Sequence, residues 1–400
     1  MKYLILLCDG MADRALAELG GKTPMEAANK PTMDFLAKRS LVGNVLNVPA
    51  GMSPGSDPAN LAVMSYDPAI YSNGRSPLEA ASMGLEMTES MTAFRCNVLT
   101  LSDGDEPYEE KTMIDHGADE ITTEEADILI KAVEEQLSGE LYHFYTGVSY
   151  RHCLLWDNAP EYSSFVPPHD ILDRKITDYL PKEEIYLELM KKSYEILNHH
   201  PVNESRRERG LRPANSIWLW SPGKKPALPD FYEKWKLKAS VISAVDLIKG
   251  IAKCANMESL DVEGATGNIH TNFTGKADAA IGAFENGSDL VYLHIEAPDE
   301  CGHRGEIENK VRSIELIDEK VLSPIYAYLK KSKEPFKIMV LPDHPTPICL
   351  KTHSSESVPF FIYSSTGNAT GVETFTEKTA ATTKLYIPCG YRLMEHLIEK

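Results

Sequence analysis

The sequence has few of the features that mark membrane or secreted proteins. No stretch of its 400 residues approaches the roughly 18 consecutive apolar residues that a membrane-spanning helix needs. Its seven cysteines are dispersed and form no Cys-x-x-Cys pair, which fits reduced thiols better than a disulfide framework. The opening segment, MKYLILLCDG, has a short apolar run but no small-residue cleavage site, and it is more typical of a buried strand than of a signal peptide. We therefore expect a cytoplasmic globular protein.

Positive charge is also scarce relative to negative charge. The chain has 41 Lys and Arg residues against 59 Asp and Glu residues, which gives a net charge of −18. A field of this sign repels nucleic acid and anionic membranes, so neither is expected as a partner. It would also repel a phosphorylated substrate, unless metal ions or clustered arginines reverse it locally.

The length of the chain and its apolar pattern predict an α/β architecture. A chain of 400 residues exceeds one ordinary hydrophobic core, so two domains are expected. Continuous apolar runs predict buried strands, and a helical stripe of apolar residues runs from Ile307 to Leu329. Strands that alternate with helices favour a mostly parallel sheet. The predicted strands are Tyr3–Cys8, Ser288–Ile295, Lys337–Leu341 and Val358–Tyr363.

The middle of the chain has a different composition, with clustered aromatic residues, many prolines and shorter alternating strands. We interpret residues 78–238 as an α+β domain inserted into the first domain. Residues 1–77 and 239–400 would then form one discontinuous core domain.

Three aspartates and three histidines follow the predicted core strands. Parallel strands end at one edge of a sheet, where open α/β folds bind their ligands. Carboxylate and imidazole without thiolate suit Mn²⁺ or Zn²⁺, and six such groups are enough for two ions, as in enzymes that act on phosphate esters. Taken singly, each aspartate could instead cap a helix, and each histidine could lie on the surface. The six residues are Asp9, Asp299, His303, Asp343, His344 and His353.

A serine precedes another predicted helix. In PGSDPANLAV, Ser56 stands where the turn-forming residues give way to a helical pattern. It could be a simple helix cap, or Asp57 could cap instead. Near two metal ions, however, the Ser56 hydroxyl would ionise readily and could attack phosphorus.

Long segments of the sequence resemble the archaeal-type cofactor-independent phosphoglycerate mutases, which belong to the alkaline phosphatase superfamily. The likeness covers nearly the whole chain in the same order. It implies an alkaline-phosphatase-like core with two metal ions, and an inserted substrate-clamping domain. It also implies the interconversion of 3- and 2-phosphoglycerate through a phosphoserine, without 2,3-bisphosphoglycerate. The segments include CDGMAD, GMSPGSDPANLAVMSYDP, NGRSPLEAASMG, HPVNESRRERGLRPANSIWLWSPG, ISAVDLIKGIA, EGATGNIHTNFTGKADAA, HIEAPDECGHRG and LPDHPTP.

The resemblance assigns roles to these positions. Ser56 would be the phosphorylated nucleophile, and the ions would be Mn²⁺, with Zn²⁺, Mg²⁺ and Co²⁺ as alternatives. One ion would be held by Asp9, Ser56, Asp343 and His344, and the other by Asp299, His303 and His353.

A second set of residues would hold the small phosphorylated glycerate substrate. Arginines are suited to this task because guanidinium binds carboxylate and phosphate in a bidentate manner. Lys249 or Lys276 would add an ammonium group that faces the phosphate. His294 lies in a strand before the ligands and is expected to be either a satisfied core histidine or a support for the metal ligands. The other predicted substrate residues are Arg75, Arg151, His152, His169, Asp170, Arg206 and Arg209.

Two alternatives to the mutase remain open from the residues alone. A metal-dependent phosphomonoesterase would use the same ligands and nucleophile, whereas a sulfatase is disfavoured because no Cys/Ser-x-Pro-x-Arg motif surrounds Ser56. A non-catalytic protein that binds a phosphorylated ligand is disfavoured because the serine and every expected ligand are present. The large insertion with its arginines favours the mutase.

Overall fold

The chain divides into two units. The computed structural model describes residues 1–72, 74–163 and 165–398. One unit is formed by Met1–Ser72 with Ala227–Lys400, and the other by Asn73–Pro226. They are called the core unit and the inserted unit below.

Both divisions lie before the joints predicted at 77–78 and 238–239, the first by five residues and the second by twelve. The first differs because Ser76, which lies between the two boundaries, donates a hydrogen bond to the carbonyl of Ser221 in the inserted unit. The second differs because Phe231 is buried in the core unit, where its N–H donates to the carbonyl of Ala255. Packing partners that are distant in sequence therefore place both joints.

The secondary structure alternates between strands and helices over most of the chain. The strands are β1 (Lys2–Cys8), β2 (Ser40–Val45), β3 (Met91–Leu101), β4 (Met113–Asp115), β5 (Tyr142–Val148), β6 (Arg151–Asp157), β7 (Ser216–Lys224), β8 (Ala239–Ile242), β9 (Glu258–Leu260), β10 (Leu290–Ile295), β11 (Phe336–Leu341), β12 (Val358–Ser364) and β13 (Tyr386–Ile387). The helices are α1 (Pro24–Ala27), α2 (Pro31–Ala37), α3 (Ser56–Val63), α4 (Pro68–Tyr71), α5 (Ser76–Ser82), α6 (Thr123–Leu137), α7 (Glu184–Leu197), α8 (Pro201–Glu208), α9 (Phe231–Trp235), α10 (Asp246–Cys254), α11 (Phe273–Glu285), α12 (Ala297–Arg304), α13 (Ile307–Ile317), α14 (Ser323–Ser332), α15 (Glu377–Thr382) and α16 (Leu393–Ile398). None of the helices in the described ranges has the length and apolar composition needed to cross a bilayer.

The core unit is built on an eight-stranded sheet with the order β13-β2-β12-β11-β1-β10-β8-β9. Neighbouring strands are parallel, except for the two pairs that involve β12. This confirms the predicted α/β fold with a mostly parallel sheet. Because β11, β1 and β10 are adjacent and parallel, the segments that follow them meet at one side of the sheet. These three segments are called the carboxyl edge.

The central strand β1 explains why the chain begins with a continuous apolar run. Both faces of a central parallel strand are covered, so its residues do not alternate between apolar and polar. Leu4 and Leu6 are fully buried and pack in one cluster with Phe273 of α11 and Ile314 of α13. This packing fixes the position at which β1 ends and the carboxyl edge begins.

The predicted helical stripe from Ile307 to Leu329 is interrupted in the structure. α13 and α14 are joined by a π-helical turn at Asp318–Leu322. The buried Asp318 carboxylate accepts hydrogen bonds from the backbone N–H groups of Thr32 and Met33 at the start of α2. The Asp318 carboxylate in this turn therefore satisfies two of the free N–H donors at the start of another helix.

The inserted unit contains a five-stranded antiparallel sheet. The strand order is β4-β3-β6-β5, and β7 also pairs with β3. Phe94 and Cys96 of β3 project into a large core cluster with α6 and α7. Arg95, which lies between them, projects from the opposite face because strand side chains alternate. This arrangement of sheet and helices agrees with the predicted α+β insertion.

Candidate active site

The carboxyl edge of the core unit brings the predicted metal ligands together. Asp9 follows β1, Asp299 lies in α12 directly after β10, and Asp343 follows β11. The side chains of Asp9, Asp299 and Asp343 are each almost completely buried. Three neighbouring parallel strands thus deliver three carboxylates to one place, as their sequence positions predict.

The first group of ligands is formed by Asp9, Asp343 and His344. Their ligand atoms lie within 4.8 Å of one another. His344 Nε2 is 3.3 Å from Asp343 Oδ2 and 3.7 Å from Asp9 Oδ1. Asp343 Oδ1 accepts hydrogen bonds from the backbone N–H groups of Gly10 and His344, which fixes the carboxylate plane. The group is therefore preorganised by backbone contacts as well as by side chains.

Ser56 is the first residue of α3, and its hydroxyl faces this group. Ser56 Oγ lies 3.2 Å from His344 Nε2. The N-cap of α3 is Gly55, and no side-chain capping bond is made there. The capping role considered for Ser56 is thus not seen, and its hydroxyl points at a predicted metal ligand. A helix start also favours negative charge, because the first backbone N–H groups are free and the macrodipole is positive there.

Two side chains of β10, Tyr292 and His294, support the first group of ligands. Tyr292 donates a 2.5 Å hydrogen bond to Asn60 Oδ1, and Asn60 Nδ2 donates to Asp343 Oδ2 at 3.0 Å and to the Ser56 carbonyl at 2.8 Å. His294 Nε2 lies 3.0 Å from Asp9 Oδ2, and burial lowers the pKa of His294 to about 3. The supporting role predicted for His294 agrees with this contact, whereas Tyr292 and Asn60 were not predicted.

The second group of ligands is formed by Asp299, His303 and His353. Asp299 and His303 are four residues apart on α12, so both lie on one face of the helix. His303 Nε2 is 3.2 Å from Asp299 Oδ2, and His353 Nε2 is 3.5 Å from Asp299 Oδ1. The ring centroids of His353 and His344 are 4.1 Å apart, so the second group adjoins the first.

The chemistry of both groups fits divalent cations. Asp9 Oδ1 is buried and has no hydrogen-bond partner among the described residues, although a buried carboxylate oxygen is costly to leave unpaired. Burial and the nearby charges of Asp343, Asp299 and Glu296 raise the pKa of Asp9 well above its ordinary value. A bound cation would remove both penalties, since it pairs with the oxygen and neutralises the crowded carboxylates.

Glu296 is a further candidate ligand that the sequence analysis missed. Its ligand atom lies within 4.8 Å of those of Asp9 and Asp299. It directly follows β10, as Asp9 follows β1, and this equivalent position was the signal that could have identified it.

The two candidate lysines differ in their surroundings. Lys249 forms a 2.6 Å ion pair with Asp261. Lys276 is completely buried, and its Nζ lies 3.4 Å from the carbonyl of His294. Burial lowers the pKa of Lys276 to about 8, while Glu296 acts in the opposite direction. Lys276 is therefore the lysine that lies against the carboxyl edge.

The inserted unit carries a second cluster, which is rich in arginine. Arg75 and Arg95 both contact Glu79, with Nε–Oε distances of 3.8 and 3.0 Å. The Arg95 guanidinium stacks on Trp220, 4.2 Å from the ring centroid. Burial lowers the pKa of Arg95, and the nearby positive charges of Arg75 and Arg151 act in the same direction, against the charge of Glu79. We call Arg75, Arg95 and Arg151, together with His116 and His169, the arginine face.

Two histidines border these arginines. His169 lies 5.4 Å from Trp220 and 6.1 Å from His116, measured between ring centroids. His116 Nδ1 is buried with no partner among the described residues. Asp170 is exposed beside His169. The sequence analysis named Arg75, Arg151, His169 and Asp170 as candidates, and the structure places Arg95 and His116 near them. An arginine within the mostly apolar run AFRCNVL was the available signal for Arg95.

Arg206 and Arg209 are not part of the arginine face. Arg206 is buried, and its guanidinium donates to the carbonyls of Arg212 and Ala118 and pairs with Glu125. Arg209 pairs with the same carboxylate. All three guanidinium nitrogens of Arg206 thus donate to groups of the inserted unit. For this reason we do not propose Arg206 and Arg209 as substrate residues.

His152 also differs from its predicted role. It follows Arg151 in β6, so the two side chains project from opposite faces of the sheet. His152 is buried, and its Nδ1 accepts a hydrogen bond from the backbone N–H of Gly147. Burial lowers the pKa of His152 to about 3. We interpret it as a neutral structural histidine and do not retain it as a substrate residue.

Known proteins share these features of sequence and fold. A family model for 2,3-bisphosphoglycerate-independent phosphoglycerate mutase matches residues 37–203. The chain is 46% identical to the enzyme of that name from Methanosarcina barkeri, over 95% of both chains. It is 41% identical to 2,3-bisphosphoglycerate-independent phosphoglycerate mutase 2 of Methanothermobacter thermautotrophicus, over 100% of this chain and 98% of the relative.

Two solved structures extend the likeness to the fold. A protein from Pyrococcus horikoshii is 29% identical with a TM-score of 0.83, and the match covers 100% of this chain and 96% of that one. The cofactor-independent phosphoglycerate mutase from Thermoplasma acidophilum is 25% identical with a TM-score of 0.68, and the match covers 100% and 99%. From the full-length identity to curated relatives, the chain belongs to the 2,3-bisphosphoglycerate-independent phosphoglycerate mutase family.

Proposed function

We propose that the protein interconverts 3-phosphoglycerate and 2-phosphoglycerate without 2,3-bisphosphoglycerate. The observation that carries this proposal is the position of Ser56, whose hydroxyl lies 3.2 Å from His344 within a carboxyl edge rich in metal-ligand groups. Family membership supports the choice of substrate. A protein with this substrate would work in the cytoplasm, where sugar phosphates are metabolised.

The proposed metal centre uses the two groups of the carboxyl edge. Divalent ions, with Mn²⁺ as the first choice, would neutralise phosphoryl charge and lower the pKa of the nucleophilic hydroxyl when bound. The proposed ligands are Asp9, Ser56, Asp343 and His344 for one ion, and Asp299, His303 and His353 for the other. His294 and Asn60 would keep the carboxylates of Asp9 and Asp343 in orientation through the contacts described above.

Ser56 would act as the nucleophile in the first of two successive transfers and as the leaving group in the second. In the first, Ser56 Oγ bonds to phosphorus, the bond from phosphorus to the 3-oxygen of the substrate breaks, and the serine proton ends on that 3-oxygen. In the second, the 2-hydroxyl of the same glycerate attacks the phosphoserine, Ser56 Oγ leaves, and it regains the proton that the 2-hydroxyl loses. The free N–H groups at the start of α3 would favour the phosphoryl charge in both steps.

The arginine face is proposed to bind the glycerate. A carboxylate suits paired guanidinium groups, and the positive charges of Arg75, Arg95 and Arg151 oppose the net negative charge of the chain. Stacking on Trp220 and pairing with Glu79 hold Arg95 in one orientation, so less conformational freedom would be lost on binding. His116 and His169 supply further polar groups to this cluster. Lys276 is proposed to add positive charge at the carboxyl edge.

The proposal is tested by following 3-phosphoglycerate with ³¹P NMR in the presence of Mn²⁺ and without 2,3-bisphosphoglycerate. We expect the signal of 2-phosphoglycerate to grow until the two isomers reach equilibrium, with little inorganic phosphate. Conversion to inorganic phosphate alone would instead identify a phosphomonoesterase. No conversion in the Mn²⁺-loaded protein would contradict the proposed function.

A further inference from the structure

Thr346 lies between the two proposed metal groups. It is completely buried and follows His344 by two residues. Its hydroxyl forms a short hydrogen bond with Asp299 Oδ1, and its Oγ1 lies 3.3 Å from His344 Nδ1. One hydroxyl group therefore contacts a ligand from each group.

The direction of these hydrogen bonds follows from the donors that are present. A threonine hydroxyl has one hydrogen, and an ionised carboxylate can only accept. The Thr346 hydrogen is thus directed to Asp299, and towards His344 the Thr346 oxygen can only accept. His344 must then carry its hydrogen on Nδ1. Its Nε2 lone pair faces Ser56 Oγ at 3.2 Å and the carboxylates of the first group.

The backbone on both sides of Thr346 is held in place. Its N–H donates to the carbonyl of Ala12 at 3.3 Å, and its carbonyl accepts from Lys310 Nζ at 2.8 Å. Lys310 is itself buried and paired with Asp13 at 2.7 Å. These contacts come from the segment after β1 and from α13, so Thr346 is positioned by elements outside its own loop.

Two glycines leave the space that Thr346 occupies. A Cβ atom on Gly10 would lie 2.6 Å from Thr346 Oγ1, and a Cβ atom on Gly302 would lie 2.8 Å from Thr346 Cγ2. Neither distance is compatible with a side chain, so both the strand end and α12 approach Thr346 closely because they carry glycine there. The surroundings of the hydroxyl are therefore tightly packed.

We propose that Thr346 is a positioning residue that couples the two metal groups. It fixes the Nδ1–H tautomer of His344, which leaves Nε2 free as a ligand, and it orients the Asp299 carboxylate at the same time. The inference rests on the proposed assignment of the metal ligands. Contacts of this kind change metal affinity by about 10- to 100-fold when they are removed. Loss of the hydroxyl should thus weaken the ions in both groups.

The test compares Thr346→Val, which keeps the shape but lacks the hydroxyl, with Thr346→Ser, which keeps the hydroxyl. Calorimetric titration of the metal-free proteins with Mn²⁺ measures stoichiometry and affinity. We expect Thr346→Val to bind both ions about 10- to 100-fold more weakly, and Thr346→Ser to stay within a few-fold of wild type. Thr100→Val is the matched control, because it removes a buried hydroxyl that donates to Pro213 in the inserted unit, and its Mn²⁺ affinity should not change.

The outcomes separate this inference from the proposed metal centre. A wild-type protein that binds fewer than two Mn²⁺ ions would contradict the metal centre itself. Two ions in wild type with unchanged affinity in Thr346→Val, or a loss confined to one ion, would overturn the role of Thr346. If Thr346→Val does not fold, ¹⁵N NMR of the histidine rings in metal-free wild type decides. Hydrogen on His344 Nδ1 is expected, and hydrogen on Nε2 alone would overturn the inference.

Discussion

His303 and His353 bring their Nε2 atoms within 2.9 Å of each other, while the Nδ1 atom of each ring faces a backbone carbonyl. A carbonyl oxygen can only accept, so each Nδ1 carries a hydrogen, and in the neutral rings both Nε2 lone pairs point to the same place. Two lone pairs at this distance repel each other unless a proton or a metal ion lies between them. Without a metal ion, the hydrogen bond to Asp299 raises the pKa of His303 to about 9, and the protonated ring supplies such a proton. We propose that a divalent cation takes the place of this proton, with both rings as its ligands.

This pair leads to the first prediction. His303→Ala and His353→Ala should each lose one of two bound Mn²⁺ ions and most of the activity, and exhaustive chelation should abolish turnover in wild type until Mn²⁺ is restored. The control is His143→Ala, because His143 is a partly exposed histidine that pairs with Glu134 in the inserted unit. The bound metal is counted by elemental analysis after gel filtration. Two ions retained in both site variants would contradict the ligand assignment.

The second prediction concerns the support that β10 gives to α3. Tyr292→Phe removes the hydroxyl that donates to Asn60, so Asn60 should hold Asp343 and the Ser56 carbonyl less firmly. We expect activity to fall about tenfold, as for other groups that orient metal ligands. Tyr186→Phe is the control, since it removes an equally buried tyrosine hydroxyl that donates to Pro160.

Both tyrosine variants should lose about 1 kcal/mol of stability, which is typical for a buried hydrogen bond. Steady-state kinetics and urea unfolding therefore separate positioning from stability. Equal activities in the two variants would show that the Tyr292 hydroxyl serves stability alone.

The third prediction distinguishes the arginine face from Arg206 and Arg209, which both pair with Glu125. Arg151→Ala should raise KM for 3-phosphoglycerate roughly tenfold, because a hydrogen bond to a charged group contributes about 1.5–3 kcal/mol. It should also increase the inorganic phosphate formed per 2-phosphoglycerate, since a loosely held glycerate leaves the phosphoserine open to water. Arg209→Ala is the control and should leave both values near wild type, because Arg209 pairs with Glu125 instead. The reverse pattern would assign the glycerate to Arg209 rather than to Arg151 and would contradict the proposed arginine face.

The fourth prediction is a pH dependence of stability in the inserted unit. Burial lowers the pKa of His152 to about 3, whereas an unfolded histidine has a pKa of about 6.5. The unfolded state therefore binds more protons, and stability is lost as the pH falls below that unfolded value. The loss approaches about 2 kcal/mol at pH 5.

His152→Asn should remove this contribution while keeping an acceptor for the N–H of Gly147. Urea unfolding at pH 7 and pH 5, followed by tryptophan fluorescence, measures the difference, because Trp156, Trp218 and Trp220 all lie in the inserted unit. An identical pH dependence in wild type and variant would show that His152 does not titrate as proposed.

The arrangement of the carboxyl edge could be predicted from the sequence, because the positions of its residues follow from the strands and the helix that carry them. Asp9 and Asp343 each follow a continuous apolar strand, and adjacent parallel strands must end on the same side of a sheet. Asp299 and His303 share a helical face through their spacing alone. Here the chain order determines the three-dimensional arrangement.

The surroundings of the candidate substrate residues were harder to predict, because they come from distant parts of the chain. Arg206 belongs to a basic segment that is typical of an exposed anion site. In the structure it is buried, its guanidinium pairs with Glu125, and it donates to the carbonyl of Ala118. Arg95 stands in an apolar strand, and only the pairing of β3 with β7 places Trp220 beneath its guanidinium. Neither environment is encoded in the neighbouring residues.

The proposed mutase mechanism requires Ser56 to be the acceptor of the phosphoryl group. The decisive measurement is mass spectrometry of peptides from the Mn²⁺-loaded protein after acid quench during turnover of 3-phosphoglycerate. We predict one phosphoryl group on the peptide that contains Ser56, and none in Ser56→Ala. That variant should fold with stability within about 0.5 kcal/mol of wild type, because Ser56 makes no capping bond. Undiminished mutase turnover by folded Ser56→Ala, with no phosphopeptide in wild type, would contradict the account.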